Sequence, residues 1–182
     1  MTSQQCIDLI KLCEFRPSDK WSLLYRASRD GFESKVFHEK CDWRNGKTLT
    51  LVKAKHSGYV FGGYTENSWW DSYPNNGQHK ADPKAFIFSL INGDSEPCKM
   101  KVTNSEKAIF CKSDSGPTFS NSTRDKSDAF YISNNSNTNT LSYSHLGDNY
   151  KHPKYQYGSD EAKTFLAGSN QFQVSEIEVY TK

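Results

Sequence analysis

The chain has 182 residues, of which 14% are aromatic, and this size and composition predict one domain with a sizeable core built mainly of sheet. Its 23 basic and 21 acidic residues nearly balance and are scattered along the chain, so we expect no nucleic-acid partner. No apolar run approaches the roughly 20 residues that span a bilayer, and no secretory signal is recognisable, so we expect a cytoplasmic protein without membrane insertion.

The first predicted element is a short amphipathic helix between Cys6 and Phe15. Apolar side chains recur there at helical spacing, and Pro17 closes the segment. We expect residues 1–20 to form an N-terminal helix packed on a domain of residues 21–182. A helix that docks a partner is the alternative, but an apolar stripe at this spacing more often lies in a core.

A strand and a second helix follow. The aromatic and apolar run Trp21–Ser28 predicts a buried strand, Arg29–Gly31 predicts a turn, and Phe32–Cys41 has helical spacing.

Three side chains near the end of that helix, His38, Cys41 and Asp42, are of types that metal sites and redox sites use. A zinc site would need two more ligands, and no second Cys/His pair has matching spacing, so we expect no metal and no cofactor. A buried thiol beside a hydrogen-bonded imidazole is the simpler interpretation. Cys41 and Cys111 remain candidate redox thiols, a role that requires an exposed thiol with a lowered pKa.

The next two runs predict a β-hairpin. Thr48–Val52 alternates polar and apolar residues, and Gly58–Thr65 is rich in aromatic residues. Within the second run, the pair Gly62 and Gly63 indicates a bulge or a place where another part of the chain passes close to the backbone.

An aromatic loop after the hairpin is the candidate interaction surface. Trp69, Trp70 and Tyr73 lie in it, and adjacent tryptophans in an extended segment point to opposite faces. At least one indole is therefore expected at the surface, where it can anchor a partner or a sugar. The simpler interpretation, which we favour, is that Trp69 or Trp70 fills one end of the fold.

The rest of the chain predicts short strands between turns. We expect Ser113–Thr118 to connect strands, the tract Ser133–Thr140 to be an exposed mobile loop, and the last strand to be irregular at Ser175 and Glu176. The predicted strands are Lys84–Leu90, Lys99–Val102, Ala108–Cys111, Asp128–Ile132, Leu141–His145 and Phe172–Tyr180. The predicted fold class is α+β, mainly β: a two-layer antiparallel β-sandwich with a few short flanking helices.

Several of these runs, in this order, resemble the TLDc domain family. The segments that carry the resemblance are Leu23–Phe32, Phe37–Asp42, Thr48–Val52, Gly58–Thr65, Ala85–Leu90 and Val174–Tyr180. The resemblance implies a sandwich of two antiparallel sheets with flanking helices. It also implies a link to resistance against oxidative damage and to the vacuolar proton pump, the V-ATPase, and it supplies no catalytic residues.

Three functions are consistent with these observations. The favoured one is a non-catalytic protein-interaction or regulatory domain, with a protein partner such as V-ATPase subunits and with an oligomeric state that the sequence leaves open. The alternatives are a thiol-based peroxide-scavenging enzyme that uses Cys41 or Cys111, and a carbohydrate-binding sandwich that uses Trp69 and Trp70.

One pair of carboxylates has the spacing of an acid/base pair. Glu176 and Glu178 share one face if their segment is a strand. We expect this face to be the solvent side of the strand, opposite Ile177 and Val179.

Overall fold

The computed structural model describes residues 3–42, 47–72, 76–119 and 128–182. Its helices are α1 (Ser3–Cys13), α2 (Ala27–Asp30), α3 (Ser34–Cys41) and α4 (Asp160–Thr164), with one 3₁₀ turn at Ser105–Lys107. Its strands are β1 (Ser22–Arg26), β2 (Thr48–Ala54), β3 (Val60–Thr65), β4 (Gln78–Lys80), β5 (Phe86–Ile91), β6 (Cys98–Lys101), β7 (Ile109–Cys111), β8 (Ser115–Phe119), β9 (Phe130–Ser133), β10 (Ser142–Ser144), β11 (Gln171–Phe172) and β12 (Val174–Thr181).

The strands form two six-stranded sheets. The first sheet has the order β1-β12-β2-β3-β5-β6, and the second has the order β11-β10-β9-β8-β7-β4. Neighbouring strands pair antiparallel throughout both orders. The predicted two-layer antiparallel sandwich with short flanking helices is confirmed.

The core lies between the two sheets and is rich in aromatic rings. The ring centroids of Phe61 on β3 and Phe130 on β9 are 5.3 Å apart with nearly perpendicular planes. Phe119 on β8 lies 5.0 Å from Phe130 on the same side of the second sheet. Since alternate residues of a strand point to the same face, each strand gives this layer every second side chain.

The predicted hairpin is confirmed, and its glycines have the predicted role. A Cβ atom added to Gly63 would lie 2.5 Å from the Phe119 ring, and one added to Gly62 would lie 1.8 Å from the carbonyl oxygen of Thr50. These two positions therefore admit only glycine without a shift of the neighbouring atoms. The Phe119 ring lies directly on the β3 backbone and brings the two sheets together there.

The first helix is confirmed, whereas the first predicted strand is too long. Strand β1 ends at Arg26, and Ala27–Asp30 is a short helix. The Asp30 carboxylate accepts a hydrogen bond from the Arg26 N–H at 2.9 Å, and the Tyr25 hydroxyl donates to the Gly31 carbonyl at 2.7 Å. These bonds turn the chain earlier than its apolar pattern predicts.

One predicted loop is wrong, and a second is a loop that is only partly exposed. Most of Ser113–Thr118 belongs to β8, a fully buried strand. The strand contains a Gly-Pro pair, and this pair predicts a turn when the sequence is considered alone. In the tract Ser133–Thr140, Ser133 and Ser136 are buried. This tract is held in place because its polar groups bond one another and the Ser136 carbonyl accepts from the Val174 N–H at 2.9 Å. The predicted irregularity near Ser175 is confirmed as a register shift between β12 and β2.

We expect Gly63→Ala to lower the free energy of unfolding by about 1–3 kcal/mol, because the new methyl group overlaps the Phe119 ring. Urea unfolding followed by circular dichroism measures the change.

Gly58→Asn is the matched control, since Gly58 has a φ of +71° with nothing within 4 Å of an added Cβ atom. Asparagine tolerates this conformation, so little change is expected. Equal stability of Gly63→Ala and the wild type would contradict the close packing described here.

Candidate interaction surface

Helix α1 covers the outer face of the first sheet. Leu9 and Cys13, one turn apart, are buried against that face, and Cys6 lies one turn before Leu9. The apolar side chains of the sheet beneath the helix are Leu49, Leu51, Val60, Tyr64, Phe86, Phe88 and Leu90. Both faces of the first sheet are therefore apolar, and the helix shields part of the outer one from water.

The C-terminal end of α1 is fixed by its backbone and by a cation. The N–H groups of Glu14 and Phe15 donate to the carbonyls of Lys11 and Ile10 at 3.1 Å and 3.0 Å, which is the Schellman arrangement, with Glu14 at a φ of 59°. The Lys99 ammonium group lies 2.9 Å from the Glu14 carboxylate and 4.5 Å from the centre of the Phe86 ring. The helix is thus anchored to β5 and β6.

A flank of α1 beside its buried face carries large apolar side chains in solvent. Ile7 is 45% exposed and Ile10 is 37% exposed, one turn apart. Beside them lies an apolar groove of about 190 Å³. The groove is lined by Cys6, Leu9, Ile10, Phe15, Trp21, Leu49, Leu51 and Tyr180. We call Ile7, Ile10 and this groove the α1 surface, and its chemistry suits the apolar side chains of a partner.

The aromatic loop is only partly at the surface. Trp69 is 1% exposed and packs between Phe37 and Phe119, with ring centroids 5.6 Å and 5.7 Å away. Its indole N–H donates to the Thr48 hydroxyl at 3.1 Å, so the side chain is a core residue and cannot contact a partner. Trp70 is 39% exposed, and Tyr73 lies outside the described residues.

The two candidate thiols are both in the core. Cys41 and Cys111 are 0% and 1% exposed. Burial raises the pKa of the Cys111 thiol to about 12, which disfavours the nucleophilic thiolate. Neither thiol has the exposure that a reactive thiol needs, and the pKa of Cys111 is raised rather than lowered.

His38 is held between hydrogen-bond acceptors on both sides. Its Nδ1 lies 2.7 Å from an Asp42 carboxylate oxygen, and its Nε2 lies 2.9 Å and 3.0 Å from the carbonyl oxygens of Lys112 and Ser115. Both ring nitrogens can donate only in the imidazolium form. Burial opposes that charge, but the Asp42 carboxylate and the two carbonyls outweigh it and raise the pKa of His38. The predicted hydrogen-bonded imidazole is confirmed, and its contacts join α3 to the segment leading into β8.

The two carboxylates of β12 are held by neighbours on β1 and α2. Glu178 lies 2.7 Å from the Arg26 guanidinium and accepts from the Tyr180 hydroxyl at 2.8 Å. Glu176 accepts from the Ser28 hydroxyl and from the Ser28 N–H. Their contacts connect the edge strand β1 to the sheet.

The sequence favours the aromatic loop as the interaction surface over the exposed flank of α1. A signal for it was present: apolar residues occupy six of the eight positions from Cys6 to Cys13. That stripe is wider than one buried face requires. The apolar side chains that do not fit on the buried face are Ile7 and Ile10, and these two remain exposed to solvent.

Because the pKa of His38 is raised in the folded state, its contribution to stability is complete below about pH 6.5, the ordinary pKa of histidine. We expect the free energy of unfolding to fall as the pH rises from there through the raised pKa. Asp42→Asn should remove about 1.5–3 kcal/mol at the acid end and flatten this dependence. Urea unfolding at a series of pH values measures both effects.

An NMR titration of the imidazole signals provides an internal comparison. Burial and the nearby Lys107 charge lower the pKa of His79, so His38 and His79 should titrate on opposite sides of the ordinary value. Titration of His38 at or below that of His79 would contradict the imidazolium assignment.

No helix in the described ranges is both long and apolar enough to span a bilayer.

Comparison with known proteins agrees with the fold. Among curated proteins the chain has no match. The family profile described as "TLDc domain" matches residues 1–182, the whole chain. The ordered motifs, the two antiparallel sheets and this match lead to one conclusion: the chain belongs to the TLDc domain family.

Proposed function

We propose that this TLDc domain is a non-catalytic protein-interaction and regulatory domain that binds its partner through the α1 surface. The observation that carries the proposal is the exposure of Ile7 and Ile10 beside an apolar groove. Large apolar side chains grouped at a surface are typical of binding sites, because covering them removes apolar area from water. In this proposal residues 1–20 supply the contact helix, which packs on the domain of residues 21–182.

The family resemblance suggests the pathway. We propose a cytoplasmic role in resistance to oxidative stress or in regulation of the V-ATPase, with V-ATPase subunits as the partner. The contacts of Lys99 with Glu14 and with the Cys13 carbonyl at the end of α1 support a surface that is already formed before the partner arrives.

The two alternatives have less support. A peroxide-scavenging thiol at Cys41 or Cys111 would have to react from within the core. A sugar site at the aromatic loop would have Trp70 as its exposed indole, since Trp69 is committed to the packing between the sheets.

Replacing both exposed isoleucines should abolish partner binding. We expect Ile7→Asp combined with Ile10→Asp to reduce co-purification of V-ATPase subunits from the protein's own cells, with and without peroxide, by about tenfold or more. The thermal midpoint should change little, because both side chains already face solvent. Quantitative mass spectrometry of the purified material measures the recovery.

Leu141→Asp is the matched control, since Leu141 is 64% exposed and lies outside the α1 surface. Trp70→Ala tests the aromatic loop in the same experiment. Loss of the pump subunits with Trp70→Ala but not with the isoleucine variant would place the contact at the loop and refute the α1 surface.

The thiol alternative is tested by alkylation. In the native protein we expect Cys13, Cys41 and Cys111 to resist iodoacetamide, because they are buried and the pKa values of Cys13 and Cys111 are raised to about 12. Cys6, which is partly exposed, should react first, and all should react after unfolding in guanidinium chloride. Peptide mass spectrometry gives the extent of labelling.

Peroxide consumption completes this test. Cys41→Ser and Cys111→Ser should leave any consumption rate unchanged. Rapid native labelling of either cysteine, together with a lower rate in its serine variant, would favour the enzyme over the interaction domain.

A further inference from the structure

The outer face of the second sheet carries a registered row of side chains rich in rings. Tyr143 on β10 lies opposite Tyr131 on β9, which lies opposite Thr118 on β8. Phe110 on β7 lies opposite His79 on β4, and the pairing of Ile109 with Phe119 places Phe110 beside Thr118. The complete row across the sheet is Gln171, Tyr143, Tyr131, Thr118, Phe110 and His79.

This row is on the side away from the core. The residues next to this row along the strands are buried between the sheets. They are Ile109, Phe119, Phe130 and Ile132. Side chains one position along a strand point to the opposite face, so the rings point outward. The solvent face of an antiparallel sheet is usually polar. Four rings in one row are therefore more than the fold itself requires.

The rings pack in two pairs on this surface, one on each side of Thr118. Tyr131 and Tyr143 stack with centroids 5.1 Å apart and an interplanar angle of 21°. Phe110 and His79 are 4.9 Å apart at the other end of the row. Burial and the Lys107 charge lower the pKa of His79, and burial with the nearby carboxylates of Asp114 and Asp128 raises the pKa of Tyr131. At neutral pH this surface is aromatic and uncharged.

A cavity of about 220 Å³ lies over this surface and has a polar rim. Phe110, Tyr131 and Tyr143 line it. The rim consists of Asn76, Lys112, Asp114 and Asp128. The Tyr143 hydroxyl donates to the Asp128 carboxylate, and the Lys112 ammonium group lies 2.7 Å from the Asp114 carboxylate. The rim thus combines two carboxylates, an amide and an ammonium group around aromatic rings.

We propose that this cavity, formed by Phe110, Tyr131 and Tyr143 with Asp114 and Asp128, binds a neutral saccharide. The face of an aromatic ring carries negative charge and attracts the C–H groups on one side of a sugar ring. Carboxylates accept hydrogen bonds from hydroxyl groups, and an amide and an ammonium group donate to them. The volume is below the roughly 300 Å³ at which drug-sized sites begin, and it suits a single sugar ring.

Other ligands of aromatic surfaces fit this rim less well. A proline-rich peptide presents mainly carbonyl acceptors, because proline lacks an N–H, and carboxylates cannot donate to them. Nucleic acids and sulfated glycans carry anions that the two carboxylates repel. A hydroxyl-rich neutral ligand can donate to the carboxylates and accept from the amide and the ammonium group at the same time.

Binding of neutral oligosaccharides to the whole chain tests this inference. Maltohexaose, cellohexaose and mannopentaose are the probes, and saturation-transfer NMR followed by isothermal calorimetry is the measurement. We expect at least one probe to bind, and Tyr131→Ala to weaken that binding about tenfold or more. Asp114→Lys, a change at an exposed side chain, should weaken it similarly and keeps the test valid if Tyr131→Ala fails to fold.

Tyr59→Ala is the matched control, since Tyr59 is a partly buried tyrosine near the β2–β3 hairpin, outside this cavity. It should bind as the wild type does. Failure of all three probes to bind would overturn the inference, as would full binding by both Tyr131→Ala and Asp114→Lys. Loss of binding only in Trp70→Ala would move the sugar to the aromatic loop, and binding only of a proline-rich peptide or a sulfated glycan would refute the ligand class.

Discussion

The contact between Phe119 and the backbone of Gly63 is the constraint on which the sandwich depends. It occurs where β8 of the second sheet faces β3 of the first, and it leaves no space for a side chain at position 63. Trp69 packs against the same ring, with its centroid 5.7 Å away, and also contacts Phe37 of α3. One phenylalanine therefore aligns both sheets, the aromatic loop and a flanking helix.

The two outer faces of the sandwich differ in the chemistry of their side chains. The outer face of the first sheet is aliphatic and aromatic, and α1 covers part of it. The helix in turn leaves Ile7 and Ile10 in water. The outer face of the second sheet has rings in register with polar groups around them. The first chemistry suits an apolar protein surface and the second suits a small polar ligand, so the domain could hold both at once.

The fold could be predicted from the sequence where the spacing of hydrophobic residues and the turn residues on either side indicated the same element. The hairpin, the long strands and the role of Gly62 and Gly63 all followed from local pattern. Strand β8 could not be predicted because Gly and Pro within Ser115–Phe119 are residues typical of loops. This segment is a strand because it pairs with β9, which local sequence does not indicate. The position of Trp69 could not be predicted either, since two adjacent indoles have the same local pattern whichever of them is buried.

The position of β12 has a consequence for how the molecule is made. This strand lies between β1 and β2, and its residues from Val174 to Thr181 pair with residues that are synthesised far earlier. On the ribosome, β1 must therefore wait unpaired until almost the entire domain has emerged. Such long-range closure slows folding and exposes strand edges to other chains, so nascent copies of this domain should depend on chaperones more than a helical protein of equal length does.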